Sequence, residues 1–109
     1  LSHRAGWITF DGDLLWYGTD HSPEEILQRH ANEPLTYGFR EKFGYSNLMY
    51  IAAAQVIEKV SGKDWDTFIT DRILKPLGMT RTSSRFADYI GRDNRAVPHM
   101  RSGDASPYQ

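Results

Sequence analysis

Between Asn47 and Gly62 stand Leu48, Met49, Ile51, Ala52, Ala53, Val56, Ile57 and Val60, apolar positions that cover most of a helix circumference and not a single stripe. Such a pattern predicts a helix buried on several sides, so the rest of the chain must supply elements to surround it. Gly62 is placed to close this helix with a left-handed cap. Ser46 or Asn47 stands where an N-cap is needed. A second helix is expected from Asp64, an N-cap, through Trp65, Phe68, Ile69 and Ile73 at helical spacing, until Pro76 forbids continuation. Upstream, Ser22-Pro23-Glu24-Glu25 has the form of a capping box with proline at the first helical position, and predicts a short helix to about Ala31.

The connecting segments read as turns. Asp11-Gly12-Asp13 between Phe10 and Leu14 is a turn signal. Pro34 to Gly44 has no sustained period and reads as loop with a brief extended piece at Arg40 to Phe43. From Arg81 to Gln109, scattered Arg, Asp, Gly and Pro predict a loop-rich tail of loop or strand fragments, or a segment that needs a partner surface. No repeat and no linker divides residues 1–109, so the chain is expected to be a single region.

Composition removes several function classes. The 109 residues carry 13 basic and 14 acidic side chains, a net charge of −1, without the concentrated cationic excess that phosphate binding requires, so no nucleic-acid partner is expected. Zero cysteines exclude disulfides, thiolate metal sites and a cysteine nucleophile, and leave the compartment open. The longest apolar run, Leu48 to Ile57 broken by Gln55, is far short of the roughly 18 residues of a membrane span. His3, His21, His30 and His99 fit no metal-ligand spacing and read as surface or structural, so no metal is expected. The nine glycines are dispersed, so no phosphate-cradling loop or nucleotide cofactor is expected.

Gly44-Tyr45-Ser46-Asn47-Leu48 begins like the G-x-S-x-G nucleophile elbow, but its fifth position is leucine and no strand precedes it. In a wider frame the run Phe43-Gly44-Tyr45-Ser46-Asn47-Leu48-Met49-Tyr50-Ile51, continuing through Val56 to Lys63 and on to Pro76-Leu77-Gly78-Met79 and Thr82, resembles the serine β-lactamase and penicillin-binding-protein-like hydrolases. It is most similar to the class C type, which includes D-alanyl-D-alanine carboxypeptidases and lactamase-like esterases. Leu1-Ser2-His3-Arg4-Ala5-Gly6 resembles the family's Leu-Ser-His-x-Ser-Gly segment with alanine at its fifth position, and Ala96-Val97-Pro98-His99 resembles another recurrent stretch.

The resemblance implies that Tyr45 acts with a lysine as general base and acid around an acyl-enzyme. It implies that Asn47 hydrogen-bonds the substrate's amide side chain and helps hold that lysine. Ser46, the variable middle position, inherits no role. A free phenol titrates near about 10, so a tyrosine in this role needs cationic neighbours. The family's S-x-x-K is missing, since none of the eight serines has lysine three residues on, and neither K-T-G nor H-x-G occurs. The resemblance therefore implies a mainly α fragment, the helical region of an α/β β-lactamase-like fold whose sheet and nucleophile helix lie outside the chain. Leu1 in place of Met agrees with a cut chain.

The function expected of the parent protein is hydrolysis of a β-lactam, a D-amino-acid peptide or a small ester through an acyl-enzyme. The chain by itself is expected to be inactive, and to self-associate through apolar surface that the sheet would cover. An alternative is a lactamase-like protein that binds a ligand or partner without catalysis, and another is a complete helical module with Tyr45 as a packed tyrosine. Trp7, Trp16 and Trp65 with Phe68 are expected in the core. Arg40, Glu41 and Lys42 are expected to form an exposed charged loop. Arg92, Arg95 and Arg101, interleaved with Asp93 and Asp104, are expected to make a mixed surface and not an anion site.

Overall fold

The computed structural model describes residues 1–99, which form helices and turns with no strand among the described residues. Helix α1 spans Pro23–His30, α2 Leu48–Ser61, α3 Trp65–Ile69 and α4 Phe86–Ile90; a 3-10 turn covers Asp13–Leu15, and a π-helical turn, Thr70–Leu74, runs on from α3. Helix α2 is the centre, with α1 packed on one side and α3 on the other.

Local chemistry explains the helix ends. Ser22 Oγ accepts from the Glu25 N–H at 3.2 Å while the Glu25 carboxylate accepts from the Ser22 N–H at 2.8 Å, the expected capping box. Hydrogen bonding from the Ser22 backbone N–H, and after it from the Ser22 hydroxyl, holds the Glu25 carboxyl below its ordinary value. Asp64 caps α3 by accepting from the Thr67 N–H at 2.9 Å, and Gly62 ends α2 at φ 68°. The helix expected through Ile73 changes pitch before Pro76. Proline cannot donate to the Arg72 carbonyl and its ring crowds that group, and the turn widens so that the Lys75 N–H reaches the Thr70 carbonyl at 2.9 Å. Asp71 braces this widened turn between Lys63 at 2.7 Å and Lys75 at 2.8 Å.

Three expectations are corrected. Helix α2 is not buried on several sides: Leu48 is fully buried, but Val56 is 61% and Val60 83% exposed. Likewise no tryptophan is in the core, and Trp65 is 42% exposed. The reason is that the elements spread into a flat arrangement with extents of 47 × 46 × 25 Å. The chain's accessible surface is 8597 Å² for 12.5 kDa, against about 6,200 Å² for a compact monomer of that mass. Its radius of gyration is 17.5 Å, against about 13 Å for a compact domain of 100 residues. The buried apolar residues are Ile26, Leu48 and Leu74. Second, Arg40 to Phe43 is not extended: a turn forms there, Arg40 takes φ 63°, and the Glu41 carboxylate accepts from the Gly38 N–H at 2.8 Å. Arg40, Glu41 and Lys42 are exposed, as expected of a charged loop.

Third, the expected loop-rich tail contains α4. Ser84 Oγ and Arg85 both reach Asp66, tying the segment before α4 back to α3. Arg81 and Arg92 share a surface hollow with Asp88 and Asp93, a mixed surface as expected; Arg101 and Asp104, with the remainder of the tail, lie outside the described residues.

The Lys63–Asp71–Lys75 bridge gives the fold a defined acid dependence. Hydrogen bonds from the two lysines hold the Asp71 carboxyl down at about 2 against an ordinary 3.8. A depressed carboxylate stabilises the fold above its unfolded-state value and loses that contribution as pH falls through its folded-state value. Asp71→Asn should therefore lower the melting temperature by a constant amount at neutral and mildly acid pH, with the difference vanishing as pH approaches about 2. A pH-independent difference would contradict the bridge.

Candidate functional site

The site is assembled by two segments that run side by side before α2 begins. The Gly44 N–H donates to the His3 carbonyl at 2.8 Å, the Arg40 N–H to the Arg4 carbonyl at 2.9 Å, and the Thr36 and Tyr37 N–H groups to the Gly6 carbonyl at 2.9 and 2.8 Å. Past Gly44 the pairing continues, with the Phe10 N–H donating to the Tyr45 carbonyl at 2.8 Å and the Tyr45 N–H to Thr9 Oγ1 at 3.2 Å. Glycine is required at two points. A Cβ on Gly44 would collide with the Trp7 carbonyl, and one on Gly6, at φ 120°, would lie 2.9 Å from the Tyr37 carbonyl.

Tyr45 projects from this pairing. Its ring stacks on His3 at 4.5 Å with planes 19° apart and meets the Phe10 edge at 5.6 Å, while the residue stays 40% exposed. Among the described residues its hydroxyl makes no hydrogen bond and no lysine or arginine forms a cation–π pair with its ring. The Ser46 N–H donates to His3 Nδ1 at 3.0 Å, so one imidazole both supports the Tyr45 ring and takes up a backbone donor. Ser46 is buried at 3% exposure, and its Oγ accepts from the Met49 N–H at 3.4 Å. Of the two candidate caps for α2, the serine side chain therefore does the capping, and Asn47 makes no cap bond.

That leaves the Asn47 side chain for another partner. Its Nδ2 donates to Asp13 Oδ2 at 3.1 Å, and the second oxygen of Asp13 accepts from Trp16 Nε1 at 3.2 Å. Asp13 is placed by the turn at Gly12, whose φ of 80° would strain any other residue and whose approach to His30 and Leu48 is tight. His30 itself is 2% exposed, packs against Trp7 at 4.5 Å, and has no hydrogen-bond partner for either ring nitrogen among the described residues.

The structure thus brings Tyr45 and Asn47 to one edge of the flat arrangement, two residues apart, each held by the first sixteen residues. His3 and Asp13 are the neighbours that sequence reasoning left out. His3 gave a faint signal through its place in Leu-Ser-His, whereas the partnership of Asp13 with Asn47 spans 34 residues and leaves no local pattern. Among the described residues no three His, Asp or Glu side chains converge to hold a metal ion, and no helix is long and apolar enough to cross a membrane.

Comparison with known proteins settles the lineage, because the beta-lactamase family model matches residues 1–107. The chain belongs to the beta-lactamase family. It is 32% identical over 87 residues to penicillin-binding protein 4* of Bacillus subtilis, covering 75% of this chain and 19% of that protein. It is 28% identical over 92 residues to the unguisins hydrolase of Aspergillus violaceofuscus, covering 83% of this chain and 16% of the other. Among solved structures it matches the D-amino acid amidase of Ochrobactrum anthropi SV3 complexed with L-phenylalanine amide, with a TM-score of 0.60, 26% identity, and coverage of 74% of this chain and 24% of the amidase. With the D-phenylalanine complex of the same amidase the TM-score is 0.68 over 94% of this chain and 29% of the amidase, at 22% identity, a likeness of fold. The chain therefore spans less than a third of each of these relatives, and its all-helical described part is consistent with a piece of a beta-lactamase-like fold.

The dual role of His3 is directly testable. His3→Ala removes the acceptor for a buried N–H, and leaving such a donor unsatisfied costs about 1–3 kcal/mol. The Ser46 amide should exchange with solvent faster and the melting temperature should fall. Unchanged exchange at Ser46 would contradict the contact.

Proposed function

We propose that this beta-lactamase-family chain is one wall of the active-site cleft of a larger serine hydrolase that cleaves amide, peptide, lactam or small ester bonds through an acyl-enzyme. The observation that carries the reading is the joint presentation of Tyr45 and Asn47 at one edge, with the Tyr45 ring held on His3 and its hydroxyl unengaged among the described residues. The relatives support it, since an amidase, an unguisins hydrolase and a penicillin-binding protein share this region.

In this reading a serine outside the chain attacks the substrate carbonyl and its proton passes through Tyr45 and a lysine, also outside the chain. The same pair returns a proton to the leaving group, and water then releases the acyl group by the reverse route. Asn47 contacts the substrate's amide and the lysine. Residues 1–109 form part of the helical region of that protein, with no activity of their own, because no serine in the chain has a lysine three residues on. The exposed apolar positions of α2, Val56 and Val60, are covered in the whole protein and drive self-association of the chain when it is alone.

Tyr45→Phe keeps the ring stack on His3 and removes only the hydroxyl. In the whole protein it should lower kcat by about 10²- to 10⁴-fold, the usual worth of a positioned acid or base, with KM little changed. Steady-state kinetics on amide and ester substrates measure this. A Tyr45→Phe variant as active as the wild type would sink the assignment.

A further inference from the structure

We infer that His3 is a positioning residue for Tyr45: a neutral imidazole, protonated on Nε2, that pins the backbone on both sides of the tyrosine and sets the plane of its ring, while taking no part in proton transfer itself. This deepens the hydrolase reading above and rests on Tyr45 as its acid–base group.

Three successive backbone donors are held here. The Gly44 N–H goes to the His3 carbonyl at 2.8 Å, the Tyr45 N–H to Thr9 Oγ1 at 3.2 Å, and the Ser46 N–H to His3 Nδ1 at 3.0 Å. The main chain and the side chain of one residue therefore bracket Tyr45. His3 does this from a left-handed backbone, φ 56°, which histidine and asparagine tolerate better than most residues. Such a conformation costs energy and persists only where the surroundings over-determine it. The ring of Tyr45 is flanked as well, by the face of His3 on one side and by the edge of Phe10 on another. The imidazole is in turn packed by Phe43, edge-on at 5.6 Å, and by Tyr50, also at 5.6 Å. The hydroxyl stands at the far end of the Tyr45 ring, so a small rotation at Cβ is a large displacement there. A misplacement of about 1 Å can cost about 10²-fold in rate.

The same contacts keep His3 out of the proton path. A backbone N–H can only donate, so the ring nitrogen facing Ser46 is an unprotonated acceptor; the ring turned over would set a C–H against that donor. Nδ1 therefore carries no proton, and a neutral imidazole with a bare Nδ1 holds its proton on Nε2. A neutral ring brings no cation to the phenol, which leaves that demand to a group from elsewhere in the protein. Nor is there a route for the hydroxyl proton. With planes 19° apart, the two stacked rings direct their in-plane N–H and O–H groups past each other, and Nδ1 is already occupied.

Two variants of the whole protein separate the backbone pin from the ring support. His3→Asn keeps an oxygen that can accept from the Ser46 N–H, suits the left-handed backbone and removes the aromatic face; His3→Ala removes acceptor and face together. Each is made alone and combined with Tyr45→Phe, and kcat and KM are measured on amide and ester substrates beside Ser46 amide exchange and NMR of the tyrosine rings. His3→Asn should lower kcat by about tenfold, the scale of one lost aromatic pair, with KM within about twofold. Its Ser46 amide should exchange as slowly as in the wild type, while the Tyr45 ring resonances shift. His3→Ala should lower kcat by about 10²-fold and speed Ser46 exchange. In the Tyr45→Phe background neither variant should lower kcat by more than about a further twofold, because no hydroxyl is left to position. Long-range proton–nitrogen spectra of the wild type should show His3 with a bare Nδ1 and a protonated Nε2.

Losses that multiply with that of Tyr45→Phe, or that fall on KM alone, would overturn the positioning role. A His3→Asn variant as inactive as Tyr45→Phe, or a proton found on Nδ1, would overturn the exclusion of His3 from proton transfer. Wild-type kcat in both His3 variants while Tyr45→Phe is crippled would remove His3 from the mechanism and leave the hydrolase reading standing. A Tyr45→Phe variant as active as the wild type would overturn that reading and the catalytic role of His3 with it, while the ring resonances of His3→Asn still decide whether His3 holds the Tyr45 ring.

Discussion

The close approach of Gly44 to the carbonyl of Trp7 is the constraint on which the rest of this structure depends. Only a residue without a Cβ lets the two segments, 1–10 and 36–45, lie against each other there. Their hydrogen bonds then deliver Tyr45 and Asn47 at the start of α2 in one fixed relation. His3 and Asp13 extend the same principle to side chains, one beneath the Tyr45 ring and the other on the Asn47 amide. Tertiary hydrogen bonds to early parts of the chain thus do the positioning that a sheet would do elsewhere.

Helix α2 shows the opposite side of this economy. Its sequence is apolar nearly all round, yet α1 and α3 cover only part of it, and Val56 and Val60 face outward. An excess of surface over that of a compact monomer of this mass, together with coverage of less than a third of each compared relative, gives the apolar circumference a consistent meaning. The helix carries more apolar surface than the described residues cover.

How legible this was in the sequence depended on the range of the interactions. The capping box at Ser22 and Glu25, the Asp64 cap and the Gly62 terminator rest on neighbours within four residues, and all three stand where the local pattern put them. The family was legible because the Tyr45-Ser46-Asn47 triplet is followed by a long ordered run of similar residues, and the match over residues 1–107 bears that out. Burial of α2 and of the tryptophans was misjudged because hydropathy records what a helix is suited to touch and not whether that surface is present. The π-helical turn escaped because periodicity cannot distinguish four-residue from five-residue hydrogen bonding ahead of Pro76. Asp13 leaves no local signal and His3 only the faint one of Leu-Ser-His, because their partners lie 34 and 43 residues away.

The proposed catalytic site is a divided one. As proposed above, this chain contributes an acid–base tyrosine and a substrate-contacting amide, and the nucleophile comes from elsewhere in the same protein. The most direct test is covalent labelling of the whole protein with a penicillin or an activated ester, followed by peptide mapping of the acylated residue. The account predicts one acyl group on a serine outside residues 1–109 and none within them. An adduct on a serine of this chain, or substrate turnover without any acyl intermediate, would contradict it.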